Sequence, residues 1–425
     1  MKKVLLIAFY FNQTNEIASK RLRGLAKYLS QFGWEPIVVV PKLDNTPSYQ
    51  YSNLDFKSIE TDYEDMLDKW INKFKRSSNN KQTNNNSPNN KDPNPLISKA
   101  ASLVGEIFAY PDGMKYWYEP AMELSKEVIE INNIEAIISS SWPVTSHIIA
   151  KDLKKEYNLK WIADLRDLWN LNPYVKHTFI RNHFEKKLEI ETFRYADVLT
   201  TTTELSTETL QKLHPNKQIC TVMSGYDIED ITENNIPKNN EKLNFTYAGS
   251  LYGGKRDPNL LFKGIKQLID EGKIFSSLIS LDFYGDNEGL ENLAKEYNIE
   301  EIVNIHGSIP HKEVLEKQKE TQALLLLSWN NKNEKMFLPG KIYEYLAAKR
   351  PVLSIGYKEG SLKDLIEKTN IGYHVSTLEQ TKEALMKFYN SFIENNPLKY
   401  TGNQKVNNYS IISTAQKFGK ILDSI

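Results

Sequence analysis

The chain has 425 residues, 40% of them hydrophobic, and its 54 Lys and Arg balance 54 Asp and Glu. That length and apolar content support two domains with sizeable cores, and the missing net charge leaves no field to favour a nucleic-acid partner. The lone Cys220 excludes an internal disulfide framework and the cysteine clusters of structural zinc sites, which fits a reducing, cytoplasmic compartment.

At the start, Lys2 and Lys3 lead into an apolar run over residues 4–11. The run is short for a secretory signal and passes into Asn12-Gln13-Thr14-Asn15 with no small-residue cleavage site, so it reads as a first buried strand. Leu22, Leu25, Ala26 and Leu29 share a helical stripe that Gly33 closes, and Pro36-Ile37-Val38-Val39-Val40 is the next strand. Asn and Lys dominate residues 76–95, where the only apolar side chains are prolines; this reads as a flexible insertion within the first domain. Before it, Trp70, Ile71 and Phe74 recur at helical spacing beside Lys69, Lys73 and Lys75. Such a helix either packs on its own sheet or docks on an anionic membrane surface. No apolar stretch approaches the about 18 residues that a spanning helix needs, so membrane attachment would be peripheral. Further strands follow at Ala136-Ile137-Ile138, Trp161-Ile162-Ala163 and Val198-Leu199-Thr200-Thr201.

A polar stretch over residues 226–242 interrupts the pattern, which restarts at Leu243-Asn244-Phe245-Thr246-Tyr247-Ala248. Strands are expected again at Leu281-Asp282-Phe283-Tyr284, Val303-Asn304-Ile305, Ala323-Leu324-Leu325-Leu326-Leu327 and Val352-Leu353-Ser354-Ile355. Strands separated by helices mean an α/β fold with parallel sheets covered on both faces. The expected division is a Rossmann-like domain over 1–230, a second over 231–402, and a C-terminal helix over 403–425 that packs back toward the first. Ligands of open α/β sheets bind outside the carboxyl ends of the strands, so the expected site is a cleft between the two domains.

No Gly-x-Gly-x-x-Gly follows the first strand, no Walker-type loop occurs, and no strand-flanked Asp-x-Asp offers a metal clamp. After the first strand of the second domain, Gly249-Ser250-Leu251-Tyr252-Gly253-Gly254-Lys255-Arg256 combines small residues with two cations. That suits a pyrophosphate, although an exposed Gly-Gly turn followed by Lys-Arg also reads as an ordinary loop. Pro339-Gly340 opens a helix with Lys341 in its first turn and Glu344 three residues on. A helix N-terminus attracts anions, Lys341 would add a charge-assisted bond, and Glu344 could accept bonds from vicinal sugar hydroxyls. The alternative is a crossover helix that binds nothing. In the first domain, Asp164-x-Arg166-Asp167 ends a strand. Asp167 could orient or deprotonate an acceptor hydroxyl and Arg166 bind an acceptor phosphate, or the pair could simply fasten a loop. His147, in the helix that Pro143 and Thr145 open, is either a catalytic histidine or a packed one.

In chain order, Gly249-Ser250-Leu251, Lys255-Arg256, Tyr284-Gly285-Asp286, His306-Gly307-Ser308-Ile309-Pro310 and Pro339-Gly340-Lys341-x-x-Glu344-Tyr345-Leu346-Ala347 resemble the donor half of glycosyltransferase family 4. Trp161-Ile162-Ala163-Asp164-Leu165-Arg166-Asp167-Leu168-Trp169 resembles a segment of members that build bacterial surface polysaccharides. The resemblance spans nearly the whole chain. It implies GT-B architecture, two Rossmann-like domains with parallel sheets facing across a cleft. It also implies retaining transfer of a hexose from a nucleotide diphosphate sugar, without a metal or other cofactor. Gly249 and Ser250 would approach the donor closely, Lys255 and Arg256 would hold its diphosphate, and Glu344 would bind its ribose. The base would lie near residues 306–310, Ser308 and Ile309 among them. The acceptor would be a lipid-linked or other cell-envelope glycan, met on the inner face of the cell membrane. Three positions depart from the family pattern. Met336 stands where the first Glu of the Glu-x7-Glu motif belongs, Ser250 where an Arg is common, and Ser139 to Ser141 where many members carry an active-site His. Two alternatives stay open: a GT-B sugar-nucleotide 2-epimerase, and a catalytically silent nucleotide-sugar-binding partner.

Overall fold

A computed structural model of the chain describes residues 1–12, 17–43, 57–64, 109–230, 237 and 241–425. The Asn-rich stretch and the Trp70, Ile71 and Phe74 face lie outside the described residues. The chain forms two compact units, the first made of residues 1–202, 207–222 and 415–425 and the second of residues 203–206 and 223–414.

In the first unit, β1 (Lys2–Ile7), β2 (Trp34–Lys42), β3 (Lys57–Asp62), β4 (Ile134–Ser140), β5 (Lys160–Leu165), β6 (Val198–Thr201) and β7 (Gln218–Thr221) form one sheet. Its order is β3-β2-β1-β4-β5-β6-β7, with every pair parallel. The apolar runs that announce strands in the sequence are the inner ones. Leu5, Leu6, Val38, Val39, Ile137 and Ile162 have no appreciable exposure, because helices cover both faces. The sequence does not announce β3 or β7. Both are edge strands with polar residues, and an edge strand needs no continuous apolar run.

In the second unit, β8 (Leu243–Ala248), β9 (Ile279–Tyr284), β10 (Val303–Gly307), β11 (Ala323–Leu327), β12 (Val352–Ile355) and β13 (Gly372–Val375) form a parallel sheet in the order β10-β9-β8-β11-β12-β13. Leu281, Phe283, Leu325 and Leu353 meet Phe262, Ile265 and Phe388 in its main core. The unexpected strand, β13, is again at an edge. In each sheet the winding direction reverses beside its first strand, between β1 and β4 and between β8 and β11. A reversal of this kind leaves a crevice at the carboxyl ends where a ligand fits.

Asp164, at the end of β5, holds the carboxyl edge of the first sheet together. Arg21, from the helix Ile17–Tyr28, donates to both carboxylate oxygens at 2.8 and 2.9 Å. Thr200 on β6 and Ser140 on β4 donate at 2.7 and 3.0 Å. Phe418, from the helix Ile411–Ser424, lies 5.4 Å from the Arg21 guanidinium. Burial alone would raise the Asp164 pKa, but the Arg21 charge and these donors outweigh it and hold the carboxyl below its ordinary range. Asp164→Asn would strand a buried guanidinium, so the first unit should lose about 3–5 kcal/mol in urea unfolding. The depressed pKa means that this stabilisation is complete above the unfolded carboxyl pKa and is lost as pH falls through the folded value. The variant should therefore show a flatter acid limb, and an unchanged urea midpoint would make the pair expendable.

Candidate functional site

Three glycines at strand ends shape the carboxyl edge of the second sheet. Gly249, Gly285 and Gly307 follow or end β8, β9 and β10 with φ of +141°, +109° and +71°. The Gly249 N–H donates to Tyr284 O and the Gly285 N–H to Gly307 O, each at 2.7 Å. A Cβ on Gly285 would sit 2.9 Å from the Gly249 backbone, so these turns accept no side chain there. The result is a strip of bare backbone beside the switch point.

Lys341 reaches this strip from the first turn of the helix Lys341–Ala348. A Cβ on Gly249 would fall 1.7 Å from the Lys341 ammonium, which occupies the space the glycine leaves. That ammonium is buried, lies 4.4 Å from the Tyr247 ring centre, and has no hydrogen-bond partner among the described residues. Burial, and then the charge of Arg256, bring its pKa down to about 7. Tyr247 is fixed by donating to Ser250 O at 2.8 Å. A buried ammonium without an acceptor, at a helix N-terminus, is the kind of unsatisfied polar group that calls for an explanation.

The neighbouring cations are held by aromatic rings. The Arg256 guanidinium lies 4.2 Å from the Tyr252 ring centre, and the exposed Lys255 ammonium 5.2 Å from that of Trp329. One turn beyond Lys341, the Glu344 carboxylate is oriented from the helix His311–Glu320. His311 Nε2 lies 3.0 Å from one oxygen, and the buried Gln318 donates to the other at 3.2 Å. The geometry thus brings Gly249, Ser250, Arg256, Lys341 and Glu344 to one edge of the second sheet. Ser308 is exposed and Ile309 half-buried in the turn between β10 and the helix His311–Glu320. His306 stacks on Tyr284 at 4.4 Å and lies 2.7 Å from an Asp282 oxygen. Tyr247, His311 and Gln318 carry no motif and were not anticipated. The one available signal was the seven-residue spacing of His311 and Gln318, which sets both on one helix face.

In the first unit, Arg166 and Asp167 stand half-exposed beyond β5, with Arg166 Nε 3.4 Å from Asp167 Oδ2. Ser141 donates to the Asp167 carbonyl at 3.0 Å and Thr202 to that of Arg166 at 3.2 Å. His147 does not join them. It is fully buried, shares a 2.7 Å hydrogen bond with the Ser139 hydroxyl, and packs edge-on against Phe193. Trp161 donates to the same hydroxyl at 2.8 Å. Burial pushes the His147 pKa down to about 3, so the ring is a neutral member of the core with no face to solvent. Met336, at the family's first Glu position, ends a turn over Lys332–Met336, and its carbonyl accepts from Thr203 at 2.9 Å.

No protein-family model matches the chain, and no curated protein does. Solved structures do. Sucrose-phosphate synthase from Thermosynechococcus elongatus superposes with a TM-score of 0.63 at 14% identity, over 100% of this chain and 99% of that one. The lipopolysaccharide outer core galactosyltransferase WaaB gives 0.60 at 12% identity, over 99% of each chain. HepE from Anabaena, solved with UDP and glucose, gives 0.59 at 10% identity over 100% of both. At such identities the likeness is one of fold. This chain has the GT-B fold of two parallel-sheet Rossmann-like domains, as its sequence led us to expect.

Proposed function

We propose that the chain is a retaining glycosyltransferase of family 4 type that moves a hexose from a nucleotide diphosphate sugar to a lipid-linked cell-envelope glycan. The observation that carries the donor half of this reading is the Lys341 ammonium, buried without a partner against the bare backbone of Gly249. A dry, unneutralised cation is costly unless an anion completes it, and a diphosphate has the charge and oxygens to do so. HepE was solved with UDP and glucose, and WaaB is a galactosyltransferase of a bacterial surface glycan; the sequence resemblance supports the retaining mechanism and the envelope acceptor.

On this reading, departure of the nucleoside diphosphate is the step that needs most help, since negative charge builds on it as the sugar carbon becomes oxocarbenium-like. Lys341, Arg256 and Lys255, with the helix N-terminus, would neutralise that charge, and the buried Lys341, already in place, would do so with little reorganisation. Glu344, already oriented by His311 and Gln318, would accept the ribose hydroxyls. Asp167, restrained beside Arg166, would act on the acceptor hydroxyl.

A bound diphosphate favours charged Lys341, so nucleotide-sugar affinity should be full below about pH 7. It should weaken toward tenfold per pH unit above that value, with uptake of up to one proton. A diphosphate diester titrates nothing itself in this window. Calorimetry in buffers of different ionisation enthalpy reads the proton directly. Lys341→Met should abolish donor binding, while thermal stability at pH 6 holds or rises because a buried charge is removed; retained affinity would overturn the donor assignment.

Glu344→Gln keeps the shape but weakens two charged hydrogen bonds, each worth about 1.5–3 kcal/mol. Free nucleotide and nucleotide sugar should therefore both bind at least tenfold more weakly. A lower melting temperature with intact binding would make Glu344 structural. Asp167→Asn should leave donor affinity unchanged and reduce transfer by roughly 100-fold, within the range of a lost general base. Conversion of the nucleotide sugar without an acceptor would instead favour an isomerase, and binding without any turnover a silent partner.

A further inference from the structure

The helix Phe179–Phe193 in the first unit is built inside out. Its buried face carries Arg181, Glu185, Glu189, Thr192 and Phe193. Its outer face carries Phe179, Ile180 and Phe184 at 88%, 67% and 53% exposure. The helix cannot turn to hide them, because the buried charges fix its rotation. Glu185 accepts from Trp169 Nε1 at 2.6 Å and from Arg181 at 3.1 Å. Arg181 also donates to Ala109 O and Pro111 O at 3.1 and 3.2 Å. Glu189 accepts from the Asn170 N–H at 2.9 Å. At its start, Thr178 caps the Arg181 N–H. A rotation that buried the phenylalanines would put two carboxylates and a guanidinium into solvent and break every one of these bonds. The apolar residues therefore face outward by construction, and a cluster of this kind marks an interaction surface.

We infer that the first two turns of this helix dock on an anionic lipid bilayer. The choice of bilayer over protein comes from what surrounds the apolar side chains. Lys176, Lys186 and Lys187 are exposed, as are Phe179, Ile180 and Phe184, within the same short stretch of chain. Protein interfaces are depleted of lysine at their cores, whereas interfacial helices combine Phe or Leu with flanking Lys so that rings enter the acyl boundary and ammoniums meet anionic headgroups. Among the described residues no helix is long and apolar enough to cross a membrane. The inference names a partner surface for the reading above, in a different unit from the donor residues, and its test uses no nucleotide sugar.

Flotation with vesicles of phosphatidylglycerol and phosphatidylcholine, at low and high salt, tests it on the full chain. Wild type should float with the anionic vesicles at low salt, dissociate as salt screens the lysines, and stay behind with pure phosphatidylcholine. Each basic residue near such a surface is worth about a fivefold change in binding, so Lys186→Glu with Lys187→Glu should weaken it at least roughly 25-fold. Phe179→Ser with Phe184→Ser should abolish it at any salt. All four positions are exposed, so the melting temperature should stay at the wild-type value and certify the fold. Wild type that fails to float at low salt would overturn the inference. So would serine variants that bind as well as wild type, or a concentration-dependent dimer that the serine variants abolish, which would assign the face to a second copy of the chain.

Discussion

A parallel strand satisfies its backbone only within a sheet, and a sheet wound by crossover helices is covered on both faces. Both sheets here obey that requirement, and most other features follow from it. Inner strands such as β1, β4, β8 and β11 accordingly carry apolar runs in their buried stretches. Polar chemistry is then displaced to the carboxyl ends, where strand leaves sheet and turn begins. In the first unit those ends are tied by Asp164, with donors from β4, β6 and the helix Ile17–Tyr28. In the second, backbone hydrogen bonds through glycines bring the ends of β8, β9 and β10 together.

That difference sets the electrostatic character of each edge. The Asp164 carboxylate has every oxygen answered, and its charge is neutralised by Arg21. The Lys341 ammonium has no hydrogen-bonding acceptor among the described residues, and burial and the charge of Arg256 lower its pKa. Glu344, on the same helix, offsets this only in part, its carboxylate being hydrogen-bonded by His311 and Gln318. Two buried charged groups thus stand in contrasting surroundings. One is a fastening completed within the chain, the other an ammonium with no acceptor among the described residues.

The helix Phe179–Phe193 applies the same logic on a surface. Hydrophobic burial would favour turning its phenylalanines inward, yet the satisfied Glu185 and Glu189 carboxylates oppose rotation more strongly than exposed rings favour it. A buried, hydrogen-bonded charge is expensive to uncover or orphan, while an exposed ring costs only its contact with water.

Sequence alone determined the fold class and the inner strands, because apolar runs of four to eight residues between helical periods have few other interpretations. It also marked Gly249, Lys255, Arg256, Lys341 and Glu344, since small residues, cations and a helix start are local signals. Three edge strands, β3, β7 and β13, were invisible, because an edge strand need not carry an apolar run; β10, also at an edge, showed itself through Val303 and Ile305. Only tertiary structure decided that His147 belongs to the core, that His311 and Gln318 hold Glu344, and that the buried ammonium has no partner. Each of these depends on which groups meet across more than one element, and on the dielectric they meet in. Residue spacing along a chain encodes periodicity and turn chemistry, but it carries no record of burial between distant segments. The charge state and orientation of a site are set by exactly that burial.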